Sequence, residues 1–92
     1  MKIYLACFDI SDDRVRYRVG KLLGGFGTRV QKSVYILAIK TPSQLKKIQE
    51  EILVELEKGD DCRFYFLCKN CQSKAFNANG TPLKYIPSSV VV

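Results

Sequence analysis

Residues 2–27 read KIYLACFDISDDRVRYRVGKLLGGFG, and the way this stretch divides decides the fold. Lys2 to Asp9 are apolar and partly aromatic. Such a run reads as a central strand buried on both faces. The pattern then changes. Ser11 can cap a helix, with Asp12 and Asp13 in the first turn, where the macrodipole favours acids. Val15, Val19, Leu22, Leu23 and Phe26 recur at helical spacing. Gly24, Gly25 and Gly27 end that helix. The chain therefore opens with a β–α unit.

Downstream, residues 28–39 (TRVQKSVYILAI) are rich in β-branched and aromatic types and contain neither Gly nor Pro. They read as strand, either one long bent strand or two short ones meeting near Lys32-Ser33. Thr41, Pro42 and Gln44 form a capping box, and Leu45, Ile48, Ile52, Leu53 and Leu56 give the helix behind it an apolar face that Gly59 ends. CRFYFL (62–67) is a further strand. After it come Cys68-Lys69-Asn70-Cys71, a short strand expected over 75–77, an Asn79-Gly80 turn and a tail ending in three valines. The order βα, β or ββ, αβ predicts a ferredoxin-like α+β plait (βαββαβ), with two helices on one face of the sheet. Ninety-two residues without linker or repeat make a single domain, 1–92, and 75–92 read as a C-terminal extension. The apolar tail Ser88 to Val92 has no use inside a lone plait, so adding it to the sheet of a second copy predicts a homodimer.

Fifteen Lys and Arg against nine Asp and Glu give a net charge of +6, which suits a polyanionic partner. No apolar run reaches the roughly 18 residues of a membrane span, and residues 2–8 are too short for a secretory signal. A cytoplasmic location is expected. Histidine is absent, which removes His-based acid–base chemistry, Ser-His-Asp triads and His-ligated zinc. The four cysteines, Cys7, Cys62, Cys68 and Cys71, are expected as reduced thiols. Cys68-x-x-Cys71 is a single pair, short of the four ligands of structural zinc. It reads either as a metal or redox pair or as a turn lined with thiols.

The basic residues gather around the first helix. Arg14, Arg18 and Lys21 stand at i, i+4 and i+7, Arg16 lies on the other flank, and Arg29 opens the next strand. Such a stripe can neutralise phosphates, or it is a solvated face. The second helix balances its lysines with Glu50, Glu51, Glu55 and Glu57. GGFGTRV (24–30) has the look of an RNA-recognition motif run, but it follows a helix rather than lying inside a strand. Asp9 precedes the cap at the end of a buried strand. A carboxylate there either holds a hard cation such as Mg²⁺ or makes a local turn.

FDISDDR (8–14), RVGKLLGGFG (18–27), RVQKSVY (29–35), the Thr41-Pro42 helix start and LCKNC (67–71) together resemble one family. It is the small CRISPR-associated protein that joins the CRISPR integrase in the spacer-acquisition complex. The resemblance runs along nearly the whole chain. It implies a ferredoxin-like homodimer whose C-terminal strand adds to the partner's sheet. It implies a Mg²⁺-dependent endonuclease on single-stranded RNA or duplex DNA, with Asp9 as catalytic and metal-binding residue facing its symmetry mate. Arg14, Arg16, Arg18, Lys21 and Arg29 would then contact nucleic acid, and Ser11, Asp12 and Ser33 would support the site. The alternatives are a non-catalytic architectural subunit that binds spacer DNA, and a VapD-type ribonuclease toxin, which has a similar fold.

Overall fold

The computed structural model describes residues 1–83. The expected C-terminal strand and the tail Ser88 to Val92 lie outside the described residues. The element order is β1 (Lys2–Asp9), α1 (Asp13–Gly24), β2 (Gly27–Gln31), β3 (Val34–Ile39), α2 (Pro42–Glu55), β4 (Asp61–Leu67) and a short α3 (Lys69–Ser73). The sheet order is β2-β3-β1-β4, and every neighbouring pair is antiparallel. This is the expected plait, with β1 central. Residues 28–39 resolve into two strands joined by a turn at Lys32-Ser33, and the β2–β3 register shifts between Arg29 and Gln31.

Strand alternation separates two faces. Tyr4, Ala6 and Phe8 of β1 share one face with Tyr35, Leu37 and Ile39 of β3 and with Cys62 and Phe64 of β4. Val15, Val19 and Leu23 of α1 and Ile48 and Ile52 of α2 close over that face as one buried cluster. Each such aliphatic side chain contributes on the order of 2 kcal/mol when taken fully from water. Ile3 and Ile36 are buried on the opposite face, outside this cluster. Leu5 and Cys7 are half-buried there. The two-sided burial expected for β1 is thus complete at Ile3 and partial beyond it.

Several local expectations change. Asp12, not Ser11, caps α1: its carboxylate accepts from the backbone N–H groups of Arg14 (2.7 Å) and Val15 (3.2 Å). Ile10 is buried, so the chain must run one residue further before it can turn. Ser11 instead donates its N–H to Asp60 Oδ1, 3.3 Å away. Thr41 caps α2 as expected, but Gln44 Oε1 accepts from Lys40 N–H rather than from the cap's own N–H. That helix ends at Leu56, whose backbone is extended, and Gly59 (φ +91°) serves the turn beyond. Leu53 is 68% exposed, because Leu45, Ile48, Ile52 and Leu56 already form the inward stripe and position 53 falls about 100° away from 52. The expected strand at 75–77 is a single bridge, Phe76 to Pro82, around the Asn79-Gly80 turn. The Asn77 N–H to Thr81 carbonyl (2.8 Å) and Leu83 N–H to Ala75 carbonyl (3.1 Å) bonds flank the bridge, so Pro82 sits where the ladder needs no N–H, and the turn closes the pairing on its near side.

Gly27 packs hard against the backbone of β3. A Cβ there would lie 1.9 Å from the Ile36 carbonyl oxygen, so only glycine lets the chain leave α1 and pair with β3 at once.

Candidate nucleic-acid interface and acid site

Asp9 ends β1 and is exposed. Its register partner across β4 is Asp61, while Cys7 is opposite Arg63 and Leu5 opposite Tyr65. Directly opposed residues share a face. Asp9, Asp61 and Arg63 therefore lie together on the face away from the helices. Arg63 Nε donates to Asp61 Oδ2 at 2.7 Å. Among the residues that the register pairs place on this face, Arg63 is the one cation. Among the described residues there is no group of three or more Cys, Asp or Glu able to hold a metal. The donor chemistry still suits Mg²⁺, which is commonly bound through one or two carboxylates with water and substrate phosphate completing its shell.

The basic residues expected to act together divide into separate settings. Arg16 is committed to the start of α1. Its Nη1 donates to the carbonyls of Ile10 (2.8 Å) and Ser11 (3.0 Å), and its other terminal nitrogen pairs with Asp13. Arg18 turns toward α2 and pairs with Glu55 at 2.5 Å. Arg14 is exposed and makes no ion pair among the described residues. Lys21 and Arg29 meet Lys32 in an open cleft of about 410 Å³ between α1 and the β2–β3 hairpin. Phe8, Tyr17, Gly20 and Tyr35 also line this cleft, as does the Arg16–Asp13 pair, and Asp9 does not. Ser33 turns the hairpin, and its carbonyl accepts the Phe8 N–H at 3.1 Å. Close packing shapes the wall: a Cβ on Gly20 would stand 2.8 Å from the Tyr35 hydroxyl.

With this geometry the chain matches a family model. Residues 1–75 fit the one described as CRISPR associated protein Cas2. The chain belongs to the Cas2 family. It is similar to "CRISPR-associated endoribonuclease Cas2 1" of Chloroflexus aurantiacus, 36% identical over 73 residues, which are 77% of this chain and 77% of that one. It is also similar to "CRISPR-associated endoribonuclease Cas2 3" of Synechocystis sp., 32% identical over the full length of both. Among solved structures, a chain of the "Partial Cas6-RT-Cas1--Cas2 complex" superposes with a TM-score of 0.84 at 33% identity, covering 94% of this chain and 100% of that one. Cas2 of Streptococcus pyogenes, solved at pH 6.5, gives 0.74 at 28% identity, covering 82% and 96%.

The sequence reading missed four residues that the family's fold brings to these two sites: Asp61 and Arg63 beside Asp9, and Tyr17 and Lys32 in the cleft. Strand pairing carried the first signal, since Asp61 and Arg63 alternate with Cys62 and Phe64 across β4. The second needed the hairpin turn to be placed.

The thiols separate in the same way. Burial, with Asp61 and Cys7 adding to it, pushes Cys62 up to about 11. Burial also raises Cys7. Cys68 and Cys71 are exposed. Cys68 caps α3, its Sγ accepting the Cys71 N–H at 3.4 Å.

Proposed function

We propose that this Cas2-family chain is a metal-dependent endonuclease of CRISPR spacer acquisition, acting as a homodimer with the CRISPR integrase. It binds nucleic acid through phosphates, without base readout, and hydrolyses phosphodiester bonds in single-stranded RNA, duplex DNA or both. The relatives named as endoribonucleases support the reaction class, and the likeness to a chain of a Cas1–Cas2 complex supports the integrase partner. One observation carries the reading: Asp9, at the end of the central strand, lies in register with Asp61 and beside Arg63 on the helix-free face. Asp9, with Asp61 alongside, would hold Mg²⁺. When bound, the ion supplies a polarised phosphoryl oxygen and an acidified water. Arg63 offers a phosphate on that face a planar pair of donors. A second copy packed against the same face would bring a second Asp9.

The test is a cleavage assay on RNA and on duplex DNA, in Mg²⁺ and in EDTA, with light scattering for the dimer. Wild type should cut only with Mg²⁺. Asp9→Asn should abolish cutting and stay dimeric. Equal cleavage by Asp9→Asn and wild type would remove Asp9 from the reaction.

The lining of the cleft favours a second reading, an architectural subunit that holds spacer DNA. Asp9 is absent from that lining, so duplex binding does not require it. Tight, salt-sensitive duplex binding with no Mg²⁺-dependent cleavage by wild type would select this reading.

A further inference from the structure

We propose that Cys68 and Cys71 form a reversible thiol–disulfide centre, open to small-molecule disulfides, where the chain leaves the sheet. The four cysteines fall into two kinds. Cys7 and Cys62 belong to paired strands but to opposite faces, Cys7 opposite Arg63 and Cys62 opposite Phe8, so they cannot be joined without breaking the sheet. Cys68 and Cys71 are both exposed, and they flank one helical turn between β4 and the Ala75–Leu83 segment. Helical rise and radius set Cα atoms three residues apart at about 5 Å. That lies inside the about 4.4–6.8 Å that a disulfide spans. The Cys71 N–H already points at Cys68 Sγ, 3.4 Å away, which holds the two residues in one turn.

The contact assigns different roles. The Cys71 N–H and the Cys71 thiol both donate to Cys68 and hold its thiol below the usual range. Cys71, which donates its proton to that sulfur, is raised. Thiolate is the attacking form. Cys68 therefore attacks one sulfur of a low-molecular-weight disulfide and expels one thiolate, leaving a mixed disulfide. Cys71 then loses its proton and attacks Cys68 Sγ, and the second small thiolate departs and takes up that proton. Two protein thiols become one disulfide as one small disulfide becomes two thiols. The bridge fixes the direction in which the chain leaves β4. The sequence left a metal or redox pair and a turn lined with thiols both open, because it did not show the short α3 that places the pair in a strand–helix junction.

The probe is glutathione disulfide added to the full-length chain near neutral pH in EDTA, followed by alkylation and peptide mass analysis. Wild type should lose two hydrogens across the Cys68–Cys71 peptide, and dithiothreitol should restore them. Cys7 and Cys62 should remain alkylatable after unfolding. Cys71→Ser should stop at a glutathione adduct on Cys68, and Cys68→Ser should react roughly tenfold more slowly. Stable adducts on wild type without a bridge, bridges to Cys7 or Cys62, or equal rates for the two variants would each overturn the proposal.

Discussion

Lys21→Ala with Lys32→Ala should weaken nucleic-acid binding through a flatter salt dependence. Both lysines line the cleft, and neither has an ion pair among the described residues. Each phosphate contact contributes about 0.9 to the slope of log affinity against log salt on duplex DNA, so losing two lowers it by about 1.8. Between about 50 and 200 mM salt that difference amounts to roughly a tenfold change in the ratio of wild-type to variant affinity. Arg18→Ala should leave the slope nearly unchanged, because Glu55 already neutralises Arg18. Arg14→Ala with Arg18→Ala should therefore cost about one contact rather than two. Fluorescence anisotropy with a labelled duplex across that salt range measures all three. If Arg18→Ala flattens the slope while the lysine variant keeps it, the phosphate path runs along the α1–α2 side and the assignment to the cleft is wrong.

Gly27→Ala should destabilise the chain by about 1–3 kcal/mol or more in a denaturant melt, since its Cβ would meet the Ile36 carbonyl; an unchanged midpoint would mean that β2 pairs differently. Leu23→Ala, at a fully buried core position, should cost about 2–5 kcal/mol in the same melt. Cys62 titrates higher in the folded chain, at about 11 against an ordinary 9.0, so the unfolded chain loses its proton first. The stability linked to the neutral thiol is full below about pH 9 and is lost as pH rises toward about 11. A Cys62→Ala variant should show a shallower decline over that window, and equal declines would mean that the thiol is solvated.

The elements were legible because each carries an internal period. β1, α1 and α2 bury most of the residues that their spacing selects, Leu53 excepted, and the βαββαβ order followed from them. The exceptions have local causes. Ser11 lost the cap to Asp12 because burial of Ile10 delays the turn. The strand expected at 75–77 is one bridge among the described residues because the Asn79-Gly80 turn follows it at once. The basic stripe Arg14–Arg18–Lys21 is real as a spacing. Glu55 lies 37 residues from Arg18 in sequence yet takes it as a partner, and no one-dimensional pattern reports that. Asp61 was hidden for a related reason: its importance exists only through register with Asp9.

That register also separates the two proposed activities within one chain. The α1–hairpin cleft uses Phe8, on the helix side of β1, as part of its wall. Asp9 is the next residue and falls on the other side of the sheet, with Asp61 and Arg63. One peptide step thus moves from the surface proposed to hold phosphate to the face that carries Asp9 and Asp61. Nucleic acid seated in the cleft need not touch the Asp9 of the same chain. The two surfaces lie on opposite sides of the sheet and share no side-chain hydrogen bond or ion pair among the described residues, so they should respond largely independently to substitution. Lys21 and Lys32 variants should lose affinity at fixed salt while keeping the Mg²⁺ requirement of any cleavage, and Asp9→Asn should lose cleavage while keeping the salt slope. A spacer-DNA platform and a nuclease are then compatible in one fold, because losing the acid leaves the platform's cations in place.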